Sequence, residues 1–134
     1  MRVCLDTNVL VAAFASRGLC ADLLRRVIAE HELVLPEVVE EELRRILTKK
    51  LKLSGEALAS VQAVLDRYER APRTQTQSPL RLRDPDDEKI LVDALAAGAQ
   101  ILVSGDRDLL VAAQESPIPI VSPRAFWTLI RGAR

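Results

Sequence analysis

The sequence predicts an α/β fold, a Rossmann-like three-layer α/β/α sandwich around a mainly parallel central sheet. Short apolar runs of strand length alternate with segments whose apolar residues recur at helical spacing. Because helices then connect successive strands, the strands are expected to run parallel and to be covered on both faces. No repeat or second domain is visible, so residues 1–134 are interpreted as a single domain.

The first half of the chain is predicted to alternate two strands with helices. Pro36 suits the first turn of a helix, because its fixed φ is helical and it lacks an N–H that would go unpaired there. The Ser54 side chain can cap the helix that follows it. The expected elements are a strand at 2–6, a helix beginning at Asn8, a helix within 19–32, a strand at 33–35, a helix from Pro36 to about Lys49 and a helix after Ser54.

The second half begins with an irregular connection, because residues 70–83 show no periodicity. Pro85 and Gly98 mark the start and the end of the next helix. The expected elements are a helix at 84–98, a buried strand at 100–104, a short helix at 106–114, an edge strand at 118–122 and a capped terminal helix at 122–130.

The composition predicts a soluble, cytoplasmic protein without charge bias. Hydrophobic residues make up 49% of the chain, and Lys plus Arg equal Asp plus Glu at 19 each. A polyanionic partner would therefore have to bind a local basic patch. Cys4 and Cys20 are expected to be buried thiols in a reducing compartment. There is no apolar run of about 18 residues and no signal-peptide pattern, so no membrane partner is expected.

Asp6 interrupts the apolar stretch VCLDTNVLVAAF, residues 3–14. A buried carboxylate costs several kcal/mol unless a partner compensates its charge. Asp6 ends the first predicted strand, and Asp106 follows the predicted strand at 100–104. Because ligands bind beyond the carboxyl ends of parallel strands, both acids are expected at the same edge of the sheet.

Helical geometry separates the three consecutive glutamates of EVVEEELRRIL. Glu42 shares a face with Val38 and Leu43, so it is expected to point inward with the apolar stripe. Glu40 and Glu41 are expected to point toward basic side chains and solvent. The alternative is that all three glutamates form a solvated face.

In DPDDEKI, Asp84 is the expected helix cap, and Asp87 shares an inward stripe with Ile90. In SGDRDLL, Asp106 and Asp108 begin a helix, and both could serve only as capping residues. Brought to one cleft, however, Asp6, Glu42, Asp87 and Asp106 would repel one another unless a cation were bound.

Oxygen ligands without a nearby His or Cys favour Mg²⁺ or Mn²⁺ over zinc. Such an ion would lower the pKa of a bound water and position it for attack at phosphorus. His31, the only histidine, is expected to be a surface residue rather than a general base.

The segments LDTNVLVAAF, EELRRIL and DPDDEKILVDALAAGAQILVSGDRDLL together resemble PIN-domain proteins, most closely bacterial and archaeal toxins of the VapC kind. The resemblance extends over essentially the whole chain. It implies a metal-dependent ribonuclease acting on single-stranded RNA, with a cognate antitoxin as partner. Its catalytic acids fall on Asp6, Glu42, Asp87 and Asp106, and we expect Asp6, Asp87 and Asp106 to bind Mg²⁺ or Mn²⁺.

The resemblance also assigns supporting positions to Asn8 and Ser104, with Ser104 standing where Thr is commoner. Asp108 falls on a less regular acidic position of the family, which makes it the candidate for a fifth, supporting acid. The triple glutamate leaves Glu41 as the alternative to Glu42 for the second acid.

Two arginines, Arg17 and Arg107, are favoured for RNA binding because they lie in loops next to the expected metal-binding edge. Ordinary solvated surface is the alternative for each basic candidate. The wider set of candidates is Arg17, Lys49, Lys50, Lys52, Arg73, Arg81, Arg83 and Arg107. A homodimer is expected, with the apolar stripe of residues 58–68 and the segment FWTLI as surfaces, although core packing explains both equally well.

Other functional classes find less support in the sequence. Neither a P-loop nor a G-x-G-x-x-G motif is present, which disfavours nucleotide-cradling folds. A haloacid-dehalogenase-like enzyme would require an acid where Asn8 stands, and a receiver domain would require an acidic pair after the first strand. A PIN domain that binds nucleic acid or a protein without cutting remains the alternative, and the presence of all four acids argues against it.

Overall fold

The computed structural model describes the backbone of residues 1–132 and the side chains of residues 1–131. Its central element is a five-stranded sheet in the order β3-β2-β1-β4-β5, in which every neighbouring pair is parallel. The strands are β1 (Arg2–Leu5), β2 (Glu32–Pro36), β3 (Arg70–Ala71), β4 (Ile101–Val103) and β5 (Ile120–Val121).

Seven α-helices in the described part of the chain complete a three-layer α/β/α fold, as predicted. They are α1 (Thr7–Ala15), α2 (Leu19–Glu30), α3 (Glu37–Arg45), α4 (Gly55–Leu65), α5 (Pro85–Ala96), α6 (Arg107–Val111) and α7 (Pro123–Gly132). A π-helical turn (Ile46–Lys50) continues α3, and a 3₁₀ turn (Ala112–Glu115) continues α6. Among these helices no single one is long and apolar enough to cross a membrane, and α1 and α2 would qualify only as a pair bent by 104°.

The strand order reverses its direction at β1. The chain builds β2 and β3 on one side of β1, and then returns to place β4 and β5 on the other side. Cys4 of β1 pairs with Val34 of β2 and with Leu102 of β4, and all three side chains are buried. Such a reversal opens a crevice at the carboxyl ends of the two central strands, here β1 and β4.

Most local signals in the sequence predict the observed elements correctly. Ser54 caps α4 by accepting a hydrogen bond from the Ala57 N–H at 3.1 Å, and Asp84 caps α5 by accepting one from the Asp86 N–H at 2.9 Å. Gly98 has a φ of +80°, a conformation that side chains rarely adopt, and it follows the end of α5. β5 lies at one edge of the sheet, as predicted.

Three local predictions were wrong. Residues 70–83 do not lack structure entirely, because Arg70 and Ala71 form β3 beside the end of β2. Pro36 is the last residue of β2 rather than part of the helix, so α3 begins one residue later. Cys20 is half-buried, whereas Cys4 is fully buried as expected.

Arg70 explains why a two-residue strand is stable at this edge. Its guanidinium group donates to both carboxylate oxygens of Glu40, at 3.0 and 2.5 Å, and to Asp66 Oδ1 at 2.8 Å. It also donates to the backbone carbonyls of Leu65 and Tyr68, at 2.9 and 2.8 Å. The hydrogen bonds from Arg70 to Glu40 lower the pKa of Glu40. Together, the hydrogen bonds of Arg70 connect α3, the end of α4 and β3.

We expect Arg70→Gln to lower the free energy of unfolding by about 2 kcal/mol, because Glu40 loses both charge-assisted hydrogen bonds. Urea unfolding measures the change. The control is Arg67→Gln, which removes an exposed arginine three residues away and should change stability by less than about 0.5 kcal/mol. Equal effects of the two substitutions would show that the Arg70 contacts do not stabilise the fold.

Candidate active site

Asp6 is 4% exposed and lies at the end of β1. Its backbone N–H donates to the Val103 carbonyl at 2.8 Å, which continues the pairing of β1 with β4. Its carboxylate accepts hydrogen bonds from the Thr7 N–H at 2.8 Å and from the Ser104 hydroxyl at 2.6 Å. Burial nevertheless raises the pKa of Asp6, because two donors do not fully replace the lost hydration.

Ser104 connects the two acids that follow the central strands. The fully buried Ser104 hydroxyl donates to Asp6 and accepts from the Asp106 backbone N–H at 2.9 Å. On the same loop, the Gly105 N–H donates to Asn8 Oδ1 at 3.4 Å. Both residues that the sequence assigned to supporting positions therefore hold the β4–α6 loop against the start of α1.

The side chain of Asp106 lies beside that of Asp87. Burial, followed by the hydrogen bond and the charge of Asp106, raises the pKa of Asp87 to about 8. Asp87 therefore keeps its proton at neutral pH. Asp106 also caps α6, because its Oδ1 accepts from the Asp108 N–H at 2.8 Å. The prediction that Asp87 points inward from α5 is confirmed by its burial.

The three consecutive glutamates of α3 have different surroundings. Glu42 is half-buried, and burial together with the charge of Asp6 raises its pKa. Glu41 is 74% exposed and forms an ion pair with Arg73. The geometry therefore favours Glu42 over Glu41 as the acid nearer Asp6. Glu40 was expected to be solvated, but it is 14% exposed because it pairs with Arg70.

The other candidate residues lie around this acidic cluster at different positions. Asp108 is half-buried and lines a cleft together with the exposed Arg107, beside the cluster. Arg17 is exposed in the turn after α1, so the whole length of α1 separates its backbone from Asp6. His31 precedes β2 and therefore lies at the opposite, amino-terminal edge of the sheet; it is half-buried, and its Nδ1 has no partner among the described residues.

Thr7 was not singled out from the sequence. Its side chain is buried, and its hydroxyl has no hydrogen-bond partner among the described residues. A signal was available, since Thr7 is a polar residue inside the apolar stretch and adjoins Asp6. A buried hydroxyl without a partner is costly, so it indicates a place where a further polar group can be accommodated.

The donor atoms of the cluster suit a hard divalent cation. They are carboxylate oxygens, and burial together with neighbouring acids raises the pKa values of Asp6, Glu42 and Asp87. As placed, however, no three acidic, histidine or cysteine side chains of the described residues converge on one metal-binding point. Binding of a cation would therefore require Asp87 to lose its proton and the acidic side chains to reorient.

Comparison with known proteins places this site in a wider context. Residues 2–108 match the family model described as PIN domain. A chain in the crystal structure of VapBC2 from Rickettsia felis, bound to a DNA fragment from their promoter, has a similar fold, with a TM-score of 0.66 and 19% sequence identity over 91% of this chain and 98% of that chain. No curated protein matches the sequence.

We expect Asp87→Asn to remove a pH dependence from the stability of the metal-free protein. Since the folded state of Asp87 holds a proton up to about pH 8 and the unfolded state releases it near pH 4, stability should fall as pH rises across that range. Asp87→Asn should flatten this fall and raise the melting temperature above about pH 8. Thermal melts in chelator measure both effects.

The matched control is Asp86→Asn, which removes a carboxylate from the exposed side of the same helical turn. It should leave the fall in stability unchanged. A metal-free wild type whose melting temperature rises through this pH range would contradict the raised pKa of Asp87.

Proposed function

The chain belongs to the PIN-domain family, and on that premise we propose that it is an Mg²⁺- or Mn²⁺-dependent endoribonuclease that hydrolyses phosphodiester bonds of single-stranded RNA. The observation that supports this most strongly is that Asp6, Asp87 and Asp106 lie near one another at the crevice between β1 and β4, where the pKa values of Asp6 and Asp87 are raised. Carboxylates kept in such strain are typical of functional sites.

In the proposed reaction, Asp6, Asp87 and Asp106 would hold the cation. When bound, the cation supplies positive charge at the scissile phosphate and acidifies the attacking water. Hydrogen bonds from the Ser104 hydroxyl and the Thr7 N–H hold the Asp6 carboxylate in place, so little free energy is needed to keep it oriented. Glu42 would orient the water and accept its proton, since a raised pKa brings a carboxylate closer to the range of an effective general base.

We further propose that the protein is the toxin component of a toxin–antitoxin pair in the cytoplasm. The support is the similar fold of a chain in the structure of VapBC2, which is described as bound to a DNA fragment from their promoter. A neighbouring reading frame encoding a small DNA-binding protein would strengthen this proposal.

A homodimer also remains a proposal, and the expected surfaces are now more restricted. Val61 and Leu65 of α4 and Phe126 and Ile130 of α7 are buried in the core. Leu129 is 49% exposed, so α7 retains some apolar surface for a second copy.

Cleavage assays with the paired variants Glu42→Gln and Glu41→Gln test the assignment of acids. Glu42→Gln should reduce cleavage of single-stranded RNA by at least about 100-fold, because the water loses its proton acceptor. Glu41→Gln should retain most activity, since Glu41 pairs with Arg73 at the surface. If the two results are exchanged, the second acid is Glu41.

The same assay separates the nuclease from its alternative. Asp6→Asn should abolish cleavage while leaving the fold intact, because it removes one charge from a repelling cluster. If wild-type protein binds RNA but does not cut it with either metal, the protein is a non-cleaving PIN domain.

Metal binding has its own test. Mg²⁺ or Mn²⁺ added to the metal-free protein near neutral pH should release protons and raise the melting temperature, because the cation replaces the proton held by Asp87. Mn²⁺ should bind at least as tightly as Mg²⁺. Titration calorimetry in buffers of different ionisation enthalpy counts the released protons. A thermal shift that survives replacement of both Asp6 and Asp106 by Asn would place the metal elsewhere.

A further inference from the structure

A cleft of about 520 Å³ opens beside the acidic cluster at the carboxyl edge of the sheet. It brings together two segments of the chain, the connection before α5 and the start of α6. The residues that define this basic cleft are Arg81, Leu82, Arg83, Arg107, Asp108 and Val111. The three arginines are exposed, so the cleft has three guanidinium groups and one carboxylate.

The arginines of the basic cleft are free to bind a ligand. Within the described residues, none of the three forms an ion pair with a carboxylate. Arg73, by contrast, pairs with Glu37 and Glu41, and Arg70 pairs with Glu40. A guanidinium group without a carboxylate partner can donate to both oxygens of a phosphate.

The basic cleft and the acidic cluster share their supporting loops. Arg107 directly follows Asp106, and Arg83 directly precedes Asp84, the cap of the helix that carries Asp87. The basic cleft and the acidic cluster are therefore neighbours along both segments of the chain.

The connection that carries Arg81 and Arg83 is anchored on α5. The buried carboxylate of Asp93 accepts from the Thr74 N–H at 2.9 Å and from the Thr74 hydroxyl at 3.0 Å. Nearer the cleft, the Leu82 N–H donates to Glu88 Oε2 at 3.2 Å. This anchoring reduces the entropy lost when the arginines bind a ligand.

We propose that the basic cleft binds the sugar–phosphate backbone of the RNA strand beside the scissile phosphate, with Arg81, Arg83 and Arg107 contacting successive phosphates. The inference rests on the proposed ribonuclease function and adds the path of the strand. Leu82 and the 75% exposed Val111 offer apolar surface but no hydrogen-bonding groups for base edges. Contacts from the three arginines to phosphates carry no information about base sequence.

A nucleic acid fits this surface better than an acidic protein segment does. Phosphates recur along one strand, so contacts in the cleft deliver the next phosphate to the acidic cluster. An acidic protein segment gains nothing from that continuity.

The test measures binding of a short, labelled, single-stranded RNA of mixed sequence by fluorescence anisotropy in chelator, as a function of salt. The variant replaces Arg81, Arg83 and Arg107 together by Gln. Each lost phosphate contact should reduce the slope of log affinity against log salt by about 0.7, so the wild type should lose roughly 20-fold more affinity than the variant between about 50 and 200 mM salt.

Two further variants make the test specific. Arg67→Gln removes an exposed arginine that follows α4 and does not line the basic cleft, and it should leave affinity and slope unchanged. Replacing the three cleft arginines by Lys should restore most of the slope, because the charge is retained. Unchanged melting temperatures establish that all variants are folded.

Several results would overturn the proposal. The first is a triple Gln variant that keeps the affinity and the salt slope of the wild type. The second is a wild type that binds no RNA at low salt. The third is a triple Gln variant that still binds RNA but no longer binds polyglutamate, the acidic polypeptide probe. A parallel cleavage assay with Mn²⁺ keeps the two proposals distinguishable. If the wild type binds RNA through the cleft arginines but does not cleave it, only the proposed nuclease function is refuted. If the triple variant cleaves RNA with an unchanged KM, only the proposed role of the cleft is refuted.

Discussion

The structure depends on how a carboxylate is kept buried at the junction of its two central strands. Asp6 follows β1, and the Ser104 hydroxyl that donates to it follows β4. The same hydroxyl accepts from the Asp106 N–H, so one buried serine orients both acids. Removing either hydrogen bond would leave a buried polar group without a partner, which makes this chain of contacts costly to alter. The pairing of β1 with β4 and the geometry of the site are therefore a single constraint.

Contacts within the protein stabilise the acidic cluster only in part. Two hydrogen bonds compensate the buried Asp6 carboxylate only in part, and Asp87, beside Asp106, keeps its proton at neutral pH. Proteins commonly retain such local strain where a ligand is to bind, because the ligand then releases it. Elsewhere at this edge the charges are balanced: Glu40 and Arg70 neutralise each other, and Glu41 pairs with Arg73. The contrast between paired and unpaired charge distinguishes the parts of the surface that maintain the fold from the parts available for binding.

Charge is segregated over a short distance in a chain whose net charge is zero. Asp106 and Arg107 are adjacent in sequence, yet Asp106 faces the acidic cluster while Arg107 lines the basic cleft. Such an arrangement attracts a polyanion through a local field and leaves the acids accessible to a cation. An overall charge count would not reveal it.

The sequence alone determined the features that depend on near neighbours. The spacing of apolar residues located the main strands and helices, and the same spacing showed that Asp87 faces inward and separated Glu42 from Glu41 on α3. Capping chemistry placed the starts of α4 and α5, because a cap involves residues only two or three positions apart. The order of strands and helices also placed Asp6 and Asp106 at one edge of the sheet, since parallel strands end together.

Only the tertiary structure decided the features that depend on residues distant in sequence. β3 exists because Arg70 reaches Glu40, thirty positions away, and the same contact removes Glu40 from solvent. Arg81, Arg83 and Arg107 form one cleft because α5 and β4 return the chain to the same edge. The Asp6–Ser104 hydrogen bond joins residues 98 positions apart. Periodicity and capping carry no information about such contacts, because which distant side chains meet is set by the register and packing of the whole sheet.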